Sequence, residues 1–146
     1  PVALLCLGDT SIYASSFYLK KEIKKNYPQV KIKTLPGISS LSLAAALGDF
    51  QLIKKGENLQ IMECPDEISK FKSLINQENK TVLAIMKIGK RWKWVKYVLE
   101  EKKILKKSLL AVNIGMKNHF IGKASEYNSE ELPYFSLLLL RIGIEK

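Results

Sequence analysis

The sequence predicts an α/β fold, in which strands and helices alternate along most of the chain. Apolar runs of strand length occur at residues 2–7 and 81–86, and helical spacing of apolar residues follows each of them. Two further short runs near the end predict a hairpin and therefore a mixed sheet in the second half. With 146 residues, of which 47% are hydrophobic, the chain is long enough to bury a substantial core.

The first part of the chain predicts only two strands. The continuous apolar run at residues 2–7 is typical of a strand that is buried on both faces of a parallel sheet, and residues 30–34 alternate as a second strand. A helix is predicted between them from apolar residues at near-helical spacing, namely Tyr13, Phe17, Leu19 and Ile23. An Ala-rich helix follows at residues 41–47. Because two strands do not form a stable layer, we expect the missing strands to precede residue 1 or to come from another chain.

The second part predicts a fuller α/β arrangement after an aperiodic stretch at residues 49–58, which is the candidate linker. Strands are predicted at residues 59–63, 81–86 and 134–142, a hairpin at 108–114 and 119–123, and helices at 65–75 and 90–103. The last of these helices places its apolar residues on one face, namely Trp92, Val95, Val98 and Leu99. We therefore expect residues 1–50 to be the remainder of an N-terminal α/β domain, and residues 51–146 to be a C-terminal α/β domain with a mixed sheet.

Composition indicates a folded cytoplasmic protein. The two cysteines, Cys6 and Cys64, lie far apart and have no metal or redox spacing, which is typical of a reducing compartment. No apolar stretch approaches the roughly 18 to 20 residues that cross a bilayer, and the start of the chain has no secretory signal. Because the chain opens with Pro1 inside an apolar run and not with Met, we expect it to be the C-terminal portion of a longer protein.

Two strand-to-helix turns, at residues 8–13 and 36–40, are the candidate ligand sites. In open parallel sheets, ligands bind beyond the carboxyl ends of the strands, where such turns gather. Glycine allows close backbone approach, and N–H groups at the following helix start bind ligand oxygens. Taken by themselves, the residues favour the simpler interpretation, in which Gly8-Asp9 is only a tight turn and Ser39 only a helix cap.

Four ordered motifs carry a family resemblance. They are Gly8-Asp9-Thr10-Ser11-Ile12-Tyr13-Ala14-Ser15, Pro36-Gly37-Ile38-Ser39-Ser40, Ile85-Met86-Lys87-Ile88-Gly89 and Pro133-Tyr134-Phe135-Ser136-Leu137. Together they resemble the tetrapyrrole (corrin/porphyrin) methyltransferases over nearly the whole chain, and the last two resemble most the members that methylate precorrin-2 at carbon C-20. Thr10 stands where the family usually has Pro, and the family's N-terminal Gly-Pro-Gly-Asp loop is absent from these residues.

The resemblance implies a two-domain (class III) methyltransferase architecture, with the first domain incomplete here. It implies S-adenosylmethionine as the cofactor, bound between the domains, and a tetrapyrrole substrate in an adjoining trough. The implied cofactor-binding residues are Gly8, Asp9, Ile12, Tyr13, Ser39, Ser40 and Met86. The implied reaction transfers a methyl group to a ring carbon of a precorrin in cobalamin biosynthesis. It depends on positioning the reactants, so we expect neither a catalytic nucleophile nor a metal. Family members often form homodimers, which leaves a second copy of the chain open as a partner.

The positive charge has more than one interpretation. The chain has 24 Lys and Arg residues against 14 Asp and Glu residues, a formal net charge of +10. We expect Lys87 and Arg91 to bind the carboxylates of a precorrin, and most other lysines to lie on solvated faces. Two alternatives stay open: another methyltransferase of the same family, and a basic nucleic-acid-binding α/β module. The second rests on Lys90-Arg91-Trp92-Lys93-Trp94, although helical spacing assigns Trp92 to the core.

Overall fold

The computed structural model describes residues 2–143. The chain consists of two compact units, and the boundary between them in the sequence lies between Ser40 and Leu41. The boundary expected after residue 50 falls inside the second unit. The helices are α1 (Ser15–Asn26), α2 (Ser40–Leu47), α3 (Ile68–Ile75) and α4 (Trp92–Glu101). The strands are β1 (Asn58–Glu63), β2 (Thr81–Met86), β3 (Leu109–Val112), β4 (Phe120–Lys123) and β5 (Ser136–Ile142).

The first unit contains the predicted helix but not the predicted strands. Of residues 2–40, α1 and the start of α2 are helical, and the segments at 2–7 and 30–34 are irregular. The prediction of two strands here was wrong, because within residues 2–143 neither segment has a partner strand with which to form a hydrogen-bonded ladder. The side chains of Val2, Leu5 and Leu7, expected to be buried on both faces of a sheet, are exposed.

Helix α1 confirms the helix predicted from the spacing of apolar residues, although it begins after the first of them, Tyr13. It begins at Ser15, after the turn that contains Tyr13, and ends at Asn26, shortly before Pro28. Two lysines in its last turn, Lys24 and Lys25, lie where the helix dipole favours positive charge. The Nζ of Lys20 donates a 2.6 Å hydrogen bond to the hydroxyl of Thr34, which ties α1 to the segment that follows it.

The second unit confirms the mixed sheet. Within the described residues, its five strands have the order β1-β2-β5-β3-β4. Strand β1 is parallel to β2, while β5 is antiparallel to both β2 and β3, so β1, β2 and β3 all run in one direction. Their carboxyl ends therefore lie along one side of the sheet, where β5 and β4 begin; we call this side the carboxyl edge.

The core lies on both faces of this sheet. On one face, Leu83 and Ile85 of β2 pack with α3 and α4, whose buried side chains include Phe71 and the predicted apolar face of α4, namely Trp92, Val95, Val98 and Leu99. Val82 and Ala84 alternate to the opposite face and are equally buried. Burial on both faces explains the uninterrupted apolar run of β2. No helix among residues 2–143 combines the length and apolar character that crossing a membrane requires.

Candidate functional site

In the first unit, the two predicted ligand turns are in direct contact. A Cβ on Gly37 would overlap the carbonyl oxygen of Gly8, and a Cβ on Gly8 would lie 3.5 Å from the carbonyl oxygen of Ile38. Gly8 also has a φ of +76°, which other residues rarely adopt. The structure thus brings the two turns together at a point where only backbone fits; we call this pair of turns, residues 8–13 and 36–40, the glycine cradle.

Asp9 shapes the first turn of the glycine cradle. Its Oδ1 accepts hydrogen bonds from the backbone N–H groups of Ser11 (2.6 Å) and Ile12 (3.1 Å), and also from the Ser11 hydroxyl. These bonds, that from the Ser11 hydroxyl first, hold the pKa of Asp9 below its ordinary value. The carboxylate is therefore ionised at neutral pH, and it can offer negative charge to a ligand amine or hydroxyl.

The other predicted residues of the first unit lie on the same two turns. Ile12 is half-buried, and Tyr13 is exposed with a φ of +51°, a strained conformation for a residue with a side chain. Ser39 and Ser40 are half-buried at the start of α2, where the first turn of a helix presents N–H groups. Six of the seven residues implied to bind the cofactor are thus part of the glycine cradle.

The seventh, Met86, lies at the carboxyl edge of the second unit. It is the last residue of β2, paired with Glu63 of β1 and Leu137 of β5, and its carbonyl accepts a 2.8 Å hydrogen bond from the Cys64 N–H. The five residues before it are buried, whereas Met86 is only half-buried. Its side chain is therefore partly accessible to a ligand at this edge.

Lys87 and Arg91, expected to bind substrate carboxylates, each face a carboxylate of this chain. Lys87 Nζ forms an ion pair with Glu63. Arg91 Nε donates to Asp66 Oδ1 at 3.0 Å, its Nη2 contacts the same oxygen, and its Nη1 donates to the Lys87 carbonyl at 2.8 Å. Because the Asp66 side chain is 84% exposed, its pairing with Arg91 is weak and open to exchange.

Sequence reasoning missed Glu63 and Asp66, although a signal for them existed. Glu63 ends the strand predicted at residues 59–63 and Asp66 follows three residues later, and the carboxyl ends of parallel strands meet at one edge of a sheet. Between them lies Cys64, which is buried. Burial raises the pKa of the Cys64 thiol to about 11, so the thiol is protonated at neutral pH and is not a nucleophile there.

A second feature that sequence reasoning left without a role is the exposed pair Tyr134 and Phe135. The two rings pack edge to face, with centroids 5.1 Å apart and an interplanar angle of 83°. Leu132 N–H donates to the Gly89 carbonyl, and Leu137 pairs with Met86, so the segment carrying the two rings runs beside residues 87 and 88. The aromatic pair therefore also lies at the carboxyl edge.

The aromatic and basic stretch of α4 is not arranged as a nucleic-acid surface. Trp92 is buried and donates through Nε1 to the Ser129 carbonyl at 3.1 Å, which confirms its assignment to the core. Trp94 packs edge to face on Phe71, with ring centroids 5.5 Å apart. Lys93 pairs with Glu130 at 3.1 Å. The fully buried Trp92 ring is thus unavailable for stacking on bases, and the half-buried Trp94 ring already packs on Phe71.

Comparison with known proteins gives a family match over most of the chain. The family described as Tetrapyrrole (Corrin/Porphyrin) Methylases matches residues 1–127. A precorrin-2 C(20)-methyltransferase of Sinorhizobium sp. is 24% identical over 139 residues, which are 95% of this chain and 55% of that protein. The chain therefore spans little more than half the length of this relative.

Solved structures share the fold. The cobalt precorrin-4 methyltransferase CbiF, a cobalamin biosynthetic enzyme, has a TM-score of 0.62 at 15% identity, over 91% of this chain and 60% of that one. A uroporphyrin-III C-methyl transferase from Thermus thermophilus, complexed with S-adenyl homocysteine, has a TM-score of 0.55 at 15% identity, over 91% of this chain and 62% of that one. At 15% identity, the similarity of this chain to these two structures shows a shared fold.

Proposed function

The chain belongs to the tetrapyrrole (corrin/porphyrin) methylase family, and from that premise we propose that it is part of a methyltransferase that methylates precorrin-2 at C-20 in cobalamin biosynthesis. The family uses S-adenosylmethionine, and its members are methyltransferases. The precorrin-2 assignment is supported by the Sinorhizobium relative and by the motifs at residues 85–89 and 133–137. Methylation of a different tetrapyrrole is the alternative within the family.

The contact between Gly8 and Gly37 carries the cofactor proposal. It holds the turn that carries Asp9, Ile12 and Tyr13 against the turn that carries Ser39 and Ser40, so the residues implied to bind the cofactor lie on adjoining backbone segments. Beside this contact stands the Asp9 carboxylate, whose charge suits an amine or the hydroxyls of a ribose. These residues fit S-adenosylmethionine, which carries both groups. We assign Gly8, Asp9, Ile12, Tyr13, Ser39 and Ser40 to its binding, and Met86 to a packing contact with it.

The proposed chemistry depends on positioning. The cofactor supplies an electrophilic methyl group on its sulfonium, so the protein need not form a covalent bond with either reactant. Holding the two reacting atoms about 3 to 3.5 Å apart and in line lowers the barrier by several kcal/mol. In this proposal the glycine cradle fixes the cofactor, while Lys87 and Arg91 at the carboxyl edge orient the substrate through its carboxylates.

We propose the cytoplasm as the site of the reaction, because the two cysteines, Cys6 and Cys64, are free thiols. The homodimer stays a prediction. A nucleic-acid-binding module is not favoured, since Trp92 is buried in the core and Trp94 packs on Phe71.

Calorimetry with S-adenosylhomocysteine tests the cofactor proposal directly. We expect the parent-length protein that contains this chain to bind it, and Asp9→Ala in that protein to weaken binding about tenfold or more through the loss of a charged partner. Asp9→Asn keeps an oxygen acceptor for the turn and removes the charge, so it separates turn geometry from electrostatics. Glu22→Ala, on α1, removes a carboxylate outside the glycine cradle and serves as the control. Absence of binding by the parent-length protein, or equal affinities of that protein and its Asp9→Ala variant, contradicts the proposal, whereas loss of binding in the present chain alone does not.

Carbon-13 NMR of the reaction product tests the substrate assignment. Precorrin-2 is incubated with the parent-length protein and with S-adenosylmethionine whose methyl group carries carbon-13, and NMR identifies the ring carbon that carries the label. We expect a single methyl group at C-20. Label on another ring carbon, or on a different tetrapyrrole offered in competition, supports the alternative within the family.

A further inference from the structure

The aromatic pair Tyr134 and Phe135 stands outside the core on a segment that is otherwise well anchored. Tyr134 is 70% exposed and Phe135 is 50% exposed, whereas Leu132 and Ser136 on either side are buried. The edge-to-face contact between the two rings fixes them relative to each other. The chain therefore presents two large rings to solvent between two buried positions.

Hydrogen bonds hold this segment in place. The Phe135 carbonyl accepts a 2.7 Å bond from the Asn113 N–H, at the end of β3. The Ser136 hydroxyl donates to the Pro133 carbonyl at 2.5 Å, and the Ser136 N–H donates to the Tyr134 carbonyl at 3.0 Å. Because the backbone is fixed on both sides of the rings, little conformational entropy is lost when a ligand packs against them.

Charge beside the rings indicates which ligand fits them. The segment at residues 132–136 runs beside residues 87–89, which places the backbone of Lys87 next to that of the pair along the carboxyl edge, and Arg91 follows one turn later. Both cations pair with exposed carboxylates of this chain, Glu63 and Asp66, which a ligand carboxylate can replace. A perpendicular aromatic pair offers the face of one ring and the edge of the other, and beside cations this suits a conjugated ring system that carries carboxylates. The adenine ring of the cofactor is also planar, but it carries no carboxylate.

We propose that Tyr134 and Phe135 form the surface on which the macrocycle of a polycarboxylated tetrapyrrole packs, with its carboxylates directed to Lys87 and Arg91. This inference rests on the proposed function and adds to it two residues that would determine specificity for the substrate. It concerns the second unit alone, so it does not depend on the cofactor residues of the glycine cradle.

Titration with uroporphyrin, a planar polycarboxylated tetrapyrrole, tests the proposal through the shift of its main absorption band. We expect Tyr134→Ala and Phe135→Ala each to weaken binding about three- to tenfold, the range for loss of one aromatic contact. Tyr134→Phe keeps the ring and restores affinity to within about twofold. Tyr97→Ala is the matched control, because Tyr97 is 65% exposed on α4 and lies outside the carboxyl edge. Circular dichroism verifies that every variant is folded.

A parallel titration with S-adenosylhomocysteine separates this inference from the cofactor proposal. Loss of uroporphyrin affinity in Tyr134→Ala with unchanged S-adenosylhomocysteine affinity supports the inference. If Tyr134→Ala binds uroporphyrin as tightly as Tyr97→Ala does, the inference is overturned. It is also overturned if Tyr134→Ala weakens only the binding of S-adenosylhomocysteine. A chain that binds S-adenosylhomocysteine and no uroporphyrin also overturns it and leaves the cofactor proposal standing. A chain that binds uroporphyrin through Tyr134 but no S-adenosylhomocysteine overturns the cofactor proposal alone.

Discussion

Gly37 lies so close to Gly8 that a side chain on Gly37 would overlap the carbonyl oxygen of Gly8. The two glycines stand on opposite sides of α1 in the sequence, and the contact joins the turn before this helix to the turn that follows it. A clash at this contact cannot be relieved by moving a side chain, because neither glycine has one. The contact therefore fixes the shape of the glycine cradle.

Gly37→Ala is expected to disrupt the glycine cradle. Overlap of the new methyl group with the Gly8 carbonyl forces the two turns apart, at a cost of about 1–3 kcal/mol for an overpacked site. We expect affinity for S-adenosylhomocysteine, measured by calorimetry, to fall about tenfold, which corresponds to about 1.4 kcal/mol. Gly122→Ala is the control, since its Cβ would meet first the end of the flexible Glu126 side chain, at 3.0 Å. Equal affinities for the two variants contradict the prediction.

Sequence reasoning succeeded where the chain itself supplies the neighbours of an element. The apolar run of β2 and the apolar face of α4 were predicted correctly, because their burial against each other follows from local periodicity. The apolar run at residues 2–7 looks the same in sequence, but it has no partner strand in the part of the chain that the structure describes. An apolar pattern therefore predicts a strand only where a neighbouring strand is present to pair with it.

The same distinction between local patterns and contacts with distant elements applies to the candidate site. Gly8 and Asp9 were predicted because turn chemistry is local and visible in a few residues. The pairing of Lys87 with Glu63 depends on the register between β1 and β2, which a single sequence does not contain. The position of Tyr134 beside residue 87 likewise follows from the pairing of β5 with β2. Contacts set by strand order thus had to come from the structure.

Phe71→Ala is expected to destabilise the second unit strongly. Phe71 is fully buried in α3 and packs edge to face on Trp94. Removing its ring leaves a cavity, and we expect the free energy of unfolding to fall by about 3–5 kcal/mol in urea titrations. Ile68→Ala on the same helix removes a side chain that is 44% exposed and is expected to cost less than about 1.5 kcal/mol. Similar losses for the two variants contradict the burial seen here.

The ion pair between Glu57 and Arg141 ties the segment before β1 to β5. Arg141 Nε lies 2.7 Å from Glu57 Oε1, and the two side chains are only 15% and 8% exposed, respectively. Arg141 Nη2 also donates to the Gln51 carbonyl at 2.5 Å, and its guanidinium lies 5.0 Å from the centre of the Phe50 ring. Removing one partner leaves the other charge poorly compensated, so Arg141→Met is expected to lower the free energy of unfolding by about 1–3 kcal/mol.

The same ion pair predicts a dependence of stability on pH. Burial raises the pKa of Glu57, but hydrogen bonds from Arg141 and from the Lys54 N–H outweigh it, so the pKa falls below its ordinary value of 4.5. A carboxyl group with a lowered pKa in the folded state stabilises the fold above its unfolded pKa, and this contribution is lost as the pH falls through the folded pKa. Glu57→Gln should therefore lose less stability than the unsubstituted chain below about pH 4.5. Thermal unfolding measured from pH 7 to pH 3 checks this, and superimposable acid profiles contradict it.

Asp66→Asn is expected to strengthen the binding of a polycarboxylated tetrapyrrole. Asp66 faces Arg91, so a substrate carboxylate that binds Arg91 must displace it or share the guanidinium. Removing the charge of Asp66 while keeping its size removes that competition. Because exposed ion pairs contribute about 0.2–1 kcal/mol, we expect uroporphyrin affinity to rise by up to about fivefold.

The neighbouring Glu67→Gln provides the control for Asp66→Asn. Glu67 also pairs with a cation, but its partner is Lys70, at 2.7 Å, on the exposed surface of α3. This variant makes the same change in net charge, so any long-range attraction of the acidic ligand rises equally in both. Only Asp66→Asn frees Arg91, and its affinity should therefore exceed that of Glu67→Gln. Equal affinities would show that the ligand responds to net charge alone, and weaker binding by Asp66→Asn would show that Asp66 orients Arg91 for the ligand.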